Sequence, residues 1–286
     1  TETSIAAEEQ DPLDGVPVIK KALFMGINYA GTDSELNGCI NDALNLKTYL
    51  VANKYFDESE CIVMSDDRET SSPDYPSKDN ILKQFASLIA LAIANPDKKV
   101  ELFISYSGHG SNLKDLNGDE PDGKDEVICP ADFTTAGFIV DDYIKAEFVD
   151  KLGANVRVVI LMDCCNSGTI VDLKYNYKID GTTKVTAYNI KDTLCKIVMI
   201  SGCRDDQTSA DAYLFDNNDK KYEYQGAMTA AFLANYIDGI SYENLVTKMR
   251  KWLKQKSYTQ VPQLSSGQPI AVKKAFMLCK YNNVIA

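Results

Sequence analysis

The chain holds a single histidine, His109, in the segment Phe103-Ile104-Ser105-Tyr106-Ser107-Gly108-His109-Gly110. Any step that needs an imidazole must use it. Cys165 follows 56 residues later, where the apolar run Val158–Met162 spills into Asp163-Cys164-Cys165-Asn166-Ser167-Gly168. A free thiol titrates near ~8.5 and is mostly uncharged at neutral pH. A neighbouring imidazole can take its proton and later return it to a leaving amine. Two apolar runs, each ending directly in such a residue, are what a cysteine–histidine hydrolase needs. Strand alternation puts Cys164 and Cys165 on opposite sides. Cys165, nearer the Gly168 turn, is taken as the nucleophile, and Cys164 is assigned to packing. Gly108 and Gly110 leave the histidine flanked by bare backbone, so that a substrate chain can approach closely. The Gly110 N–H can face a developing oxyanion, with the backbone N–H of Cys165 as second donor.

The elements that must position this pair are readable as alternating strands and helices. Ala22–Ile27, Cys61–Met64, Val100–Tyr106, Val156–Met162, Lys196–Ser201 and Lys274–Leu278 read as strands. Helices are expected from Glu35 to Lys54, from Lys78 to Ala94 with Ser77 as cap, from Asp141, and over 226–236 and 242–254. Residues 107–125, 172–193 and 202–225 are polar or aperiodic and read as loops. Such alternation gives a mostly parallel sheet covered on both faces. Ligands bind such sheets outside the carboxyl ends of the strands. His109 and Cys165 lie just past those ends and meet if their strands are neighbours.

Composition sets bounds on the function. The 286 residues are 45% hydrophobic, ample for a core, and the formal net charge is −11. An acidic chain argues against nucleic acid as main partner and favours basic peptides or metal cations. No apolar run is long enough to span a membrane. The eight cysteines show no disulfide framework and no CxxC pair, and a lone histidine cannot complete a Cys2His2 zinc site. A reducing, cytoplasmic setting is expected. The first residue is Thr1, which suits a trimmed or processed chain. Residues 1–19 are taken as an arm or the remnant of a leader, and 20–286 as one domain.

Ser-Gly-His-Gly followed by Asp-Cys-Cys-Asn-Ser-Gly resembles the metacaspases of the caspase-like cysteine peptidase clan. The likeness extends through Ala22–Tyr29, Leu36–Asp42, Asp122–Val127, Ser201–Asp211 and Gly226–Thr229. It is that of a type I metacaspase without its proline-rich leader. One departure is Asn166, where the family usually carries histidine; it adjoins the nucleophile but is not its base, so little loss is expected. The resemblance implies an α/β caspase-like three-layer sandwich, with a mostly parallel central sheet and helices on both faces.

The resemblance also implies a first specificity pocket shaped by Asp42, Ser107 and Asp163, with Cys39 beside them. Two buried carboxylates there would bind arginine or lysine, bidentately in the arginine case. Without that cation they would repel, and one acid would take up a proton. The plainer alternative is an N-capping Asp163 and a solvated Asp42. By the same resemblance Asp125, Asp141, Asp142 and Asp172 form a calcium site, and four carboxylates from three segments suit a hard cation; the alternative is that Asp141-Asp142 merely open a helix. The segment 115–126 matches a calcium-binding EF-hand loop in part, but Glu120 stands where glycine is required and a strand follows, so it is read as an acidic loop. Lys174, Lys178, Lys184 and Lys191 lie in the loop 172–193, which a lysine-directed enzyme could cut in itself at any of the four; the alternative is that they only solubilise the loop.

The expectation is therefore a calcium-dependent cysteine endopeptidase cleaving after arginine or lysine, read as a monomer because no long edge strand for pairing is visible. A catalytically idle scaffold that binds partners, or a legumain-like or separase-like peptidase of the same clan, are the competing readings.

Overall fold

A computed structural model describes residues 15–114, 124–164, 171–179, 184–203, 211–216 and 221–281. In chain order the first half comprises β1 (Val18–Gly26), α1 (Cys39–Ala52), β2 (Cys61–Ser65), α2 (Lys78–Ile93), β3 (Lys99–Ser107), β4 (Gly110–Lys114), β5 (Lys124–Ile128), α3 (Phe133–Ala136), β6 (Ile139–Val140) and α4 (Asp141–Glu147). The second half comprises β7 (Val156–Asp163), β8 (Tyr175–Lys178), β9 (Lys184–Ala187), β10 (Lys196–Cys203), β11 (Asp211–Asp216), β12 (Lys221–Gly226), α5 (Ala227–Asn235), α6 (Tyr242–Gln255) and β13 (Val261–Ser266).

The continuous apolar runs form the centre of an eight-stranded sheet in the order β2-β1-β3-β7-β10-β13-β8-β9. The first five strands are mutually parallel, and β13, β8 and β9 extend the sheet antiparallel to one another. Every residue of β7 is buried, as befits a parallel strand covered on both faces. Alternation divides its side chains between two cores. Ile160 and Met162, with Ile104 and Tyr106 of β3, pack against Ile81 and Phe85 of α2, Ile144 of α4 and Phe148 just after it. Val159 and Leu161, with Phe103, pack against Leu46 of α1, Phe232 of α5 and Leu245 of α6. The result is a caspase-like three-layer α/β sandwich. No helix among the described residues is long and apolar enough to cross a membrane.

Several expectations are corrected. The polar stretch 107–125 contributes β4, which pairs with β5 and β6 in a separate three-stranded sheet. Within 172–193, β8 and β9 form a hairpin on the edge of the main sheet, and within 202–225, β11 pairs with β12. The last strand is not at 274–278, where only the isolated bridge Ser241–Ala275 occurs, but at Val261–Ser266. Pro262 argues against a strand there. It is tolerated because β8 pairs only with Leu264, Ser265 and Ser266, while the Pro262 carbonyl accepts hydrogen bonds from Arg250.

The cap at Ser77 forms as expected: its hydroxyl accepts the Asn80 N–H at 3.2 Å. Ser77→Ala should lower stability by about 1 kcal/mol, read as a shifted urea midpoint with an unchanged slope.

Candidate active site

The site lies at the carboxyl ends of β1, β3 and β7. Ser107, the last residue of β3, is in register with Asp163, the last of β7. His109 and Cys165 are each two positions beyond that registered pair, so the strands delivering them are neighbours. Cys165 and Asn166 lie outside the described residues, as do residues 115–123 of the partial calcium-loop match and residues 1–14 of the arm. Cys164 is buried in the core with Met162 and Tyr106, a packing role as expected.

His109 is held from several sides. Its Nε2 lies 2.7 Å from the Ser34 carbonyl oxygen. A carbonyl can only accept, so Nε2 carries a proton there, and in the neutral ring Nδ1 is the basic nitrogen. The Tyr29 ring packs on the imidazole with centroids 4.8 Å apart. The Tyr29 hydroxyl accepts the His109 backbone N–H at 3.0 Å and donates to the Cys129 carbonyl at 2.6 Å. Tyr106 donates to the His109 carbonyl at 2.7 Å. Burial drives the titration of both tyrosines well above the ordinary phenol value, so both hydroxyls keep their protons as donors. Tyr29 has φ of 50°, an unfavourable region for an aromatic residue. Asp66 holds it there by accepting the N–H groups of Asn28 and Tyr29 at 2.8 and 2.6 Å.

The two flanking glycines have different reasons. A Cβ on Gly108 would lie 2.7 Å from the Tyr106 hydroxyl and 2.9 Å from that of Tyr29. Gly108 therefore makes room for the tyrosines that brace the histidine. Gly110 begins β4. The Cys129 N–H donates to the His109 carbonyl, and Gly110 is the next residue in register, opposite Ile128. Closely bonded and open pairs alternate in an antiparallel ladder. The Gly110 N–H accordingly points away from β5, off the edge of the small sheet.

The acid pair assembles above the strand ends. The Asn28 side chain accepts the N–H groups of Cys39 and Ile40, which fixes the start of α1 and carries Asp42 over the sheet. Asp42 and Asp163 are 0% and 3% exposed. Asp42 accepts the Ser107 hydroxyl at 2.5 Å and the Gly226 N–H at 2.8 Å, and Asp163 accepts the Thr229 N–H at 2.8 Å. Asp163 thus does serve a helix N-terminus, that of α5, while Asp42 is not solvated. Cys39 is buried at the head of α1.

A second acidic group forms beside α4. The carboxylates of Asp141, Asp142 and Asp172 offer oxygens within 4.8 Å of one another. Asp141 also accepts the N–H groups of Glu126 and Asp142, so it opens α4 and belongs to the cluster at once. Asp125 is not one of the three; it precedes Glu126 on β5 and is buried. Asp172 has φ of 46° and is flanked by the buried Val171 and Leu173. Three hard oxygen donors of this kind fit a calcium ion.

Sequence reasoning missed Ser34, Tyr29, Tyr106 and Asp66 around the histidine, and Gly226 and Thr229 under the acids. Ser34 and Thr229 act through backbone atoms, which leave no signal in residue type.

Comparison with known proteins agrees with this geometry. The family model described as metacaspase, peptidase C14 domain, matches residues 20–174. The chain is 37% identical to Metacaspase-1A of Neurospora crassa across 91% of its own length and 65% of that protein's. It is 35% identical to Metacaspase-1 of Meyerozyma guilliermondii, covering 91% of this chain and 72% of that one. A crystal structure of a Geobacter sulfurreducens protein superposes with a TM-score of 0.60 at 25% identity, over 91% of this chain and 98% of the other. The chain belongs to the metacaspase family of cysteine peptidases. It spans about two thirds of the length of the curated relatives, 65% in the Neurospora case.

Cys39, Cys61, Cys129, Cys164, Cys195 and Cys279 are free of disulfides. Burial pushes the thiol of Cys129 up to about 12 and those of Cys61 and Cys195 up to about 11, from an ordinary value of 9.0. These thiols stay protonated near neutrality and should resist iodoacetamide until pH exceeds about 10, as read by mass spectrometry of the folded protein. The folded state holds its thiol protons more tightly than the unfolded chain. Their contribution to stability should therefore be intact below pH 9.0 and decline as pH rises toward 11 to 12. Tyr29→Phe removes the partner of the His109 N–H. It should cost about 1–3 kcal/mol of stability and roughly tenfold in turnover through a looser imidazole, measured by denaturation and by steady-state kinetics.

Proposed function

We propose that this chain is a calcium-activated cysteine endopeptidase that cleaves after arginine or lysine, with Cys165 as nucleophile and His109 as base. The observation that carries this reading is the register of Ser107 with Asp163, which delivers both residues from adjacent strand ends. The Cys165 thiol gives its proton to His109 Nδ1 and attacks the scissile carbonyl. The Ser34 carbonyl steadies the resulting imidazolium through Nε2–H, the role an acceptor plays behind a catalytic histidine. The Gly110 N–H, aimed off the sheet edge, would donate to the developing oxyanion. The C–N bond then breaks as His109 protonates the leaving amine. Water, deprotonated by the same imidazole, hydrolyses the thioester and frees the thiol.

Asp42 and Asp163 are the seat of the substrate's cation, with Ser107 fixing one of them and Cys39 beside them. Asp141, Asp142 and Asp172 would hold calcium, with Asp125 contributing from β5. When bound, the ion would supply the positive charge that lets these carboxylates stay together. Val171 and Asp172 would then be fixed at the far end of the segment that carries Cys165, which is how binding would support the cleft. Self-cleavage in the 172–193 region belongs most readily at Lys191. That residue is exposed in irregular chain after β9, whereas Lys174 is engaged by Asp192 at 2.8 Å, and Lys178 and Lys184 lie in the β8–β9 hairpin.

Peptides with arginine or lysine before the scissile bond should be cut, and aspartate peptides should not. Cys165→Ala and His109→Ala should each lower turnover by at least ~10³-fold. Chelator, or Asp172→Ala, should remove most activity; undiminished cleavage under both treatments would reject the calcium role.

A further inference from the structure

We propose that Gly226 is a positioning residue that sets the spacing of the Asp42–Asp163 pair and with it the preference for arginine over lysine. This rests on the reading of those acids as the seat of the substrate's cation. Gly226 has φ of −66° and ψ of 134°, a conformation open to any residue, so backbone freedom does not explain the glycine. Space does. A Cβ here would come 2.2 Å from Asp163 Oδ2 and 2.5 Å from Asp42 Oδ2, far inside contact distance.

Neither carboxylate can give way easily. Asp42 is gripped by the Ser107 hydroxyl and by the N–H of Gly226 itself, and Asp163 by the Thr229 N–H. Gly226 and Thr229 are the N-cap and the third residue of α5. The two donors are therefore fixed relative to each other by one helical turn, and they carry the partial positive charge of the helix start. The bare Cα of Gly226 lets both oxygens close over that turn. The pair thus becomes a rigid two-carboxylate fork rather than two independent acids.

A rigid fork discriminates between cations. Guanidinium is planar and presents its donors at fixed angles, whereas ammonium is a compact point charge that tolerates displaced acceptors. Pushing the carboxylates apart with one methyl group should therefore harm arginine more than lysine.

The test is Gly226→Ala in the full chain, with kcat and KM measured on matched arginine and lysine peptides in calcium. The KM for arginine should rise by about tenfold to a hundredfold, kcat should change little, and the arginine-to-lysine ratio of kcat/KM should fall by about tenfold. Unaltered iodoacetamide labelling of Cys165 would certify an intact fold and nucleophile. A ratio and KM equal to wild type would overturn the inference. Asp42→Asn and Asp163→Asn are run alongside. If they leave arginine cleavage unchanged, the pocket reading itself fails, and this inference with it. If they abolish cleavage while Gly226→Ala behaves as wild type, only this inference fails. Should Gly226→Ala not fold, the same substitution is made with both acids cut to alanine. Recovery of folding supports a clash with the carboxylates, and continued misfolding overturns it.

Discussion

The pairing of β3 with β7 is the constraint on which the site depends. Both strands are buried on both faces, and their side chains alternate between two separate cores. Ser107 and Asp163 follow Phe103 and Leu161 toward α1 and α5, while Tyr106 and Met162 face α2 and α4. A slip of one residue would exchange the two sets, putting an ionisable side chain into an apolar core and leaving the acid pair incomplete. Register is thus enforced by hydrophobic burial along the whole strand, and the candidate site residues lie at and just past its end.

The second constraint is electrostatic. Two carboxylates buried side by side would ordinarily need a bound cation or a proton between them, as the sequence led us to expect. The structure adds a partial compensation that the pair holds before any substrate arrives. α5 begins where the two acids meet, and its first turn offers N–H donors to both. Orphan donors at a helix start and surplus acceptors on two acids satisfy each other.

Legibility followed the strength of the periodic signal. The five parallel strands and helices α1, α2, α5 and α6 were readable because long apolar runs and 3.6-residue spacing persist over many residues. The hairpins were not. The sequences of β4 (Gly-Ser-Asn-Leu-Lys) and β8 (Tyr-Asn-Tyr-Lys) are short and polar, and their order comes from partner strands rather than from their own composition. The strand at Val261–Ser266 was hidden by Pro262 and its serines. In the site, His109 was visible by residue type, and the acids through the family resemblance. Their supports were not, because Ser34, Gly226 and Thr229 contribute backbone groups, and nothing in the residue type of Gly108 reveals that it leaves room for two tyrosine hydroxyls.

The acidic cluster beside α4 connects to this framework through one residue. Asp172 adopts a left-handed conformation that aspartate tolerates at modest cost, and the burial of Val171 and Leu173 on either side keeps it there. Val171 belongs to the same core as Met162 and Tyr106. The chain that carries Cys165 therefore runs between two anchored ends, Asp163 bound to α5 and Val171 seated in the core below α4. Repulsion among Asp141, Asp142 and Asp172 works against the second anchor, and neutralising that charge works for it. On the proposed mechanism, charge at the cluster would reach the nucleophile through this second anchor, with no movement of the sheet required.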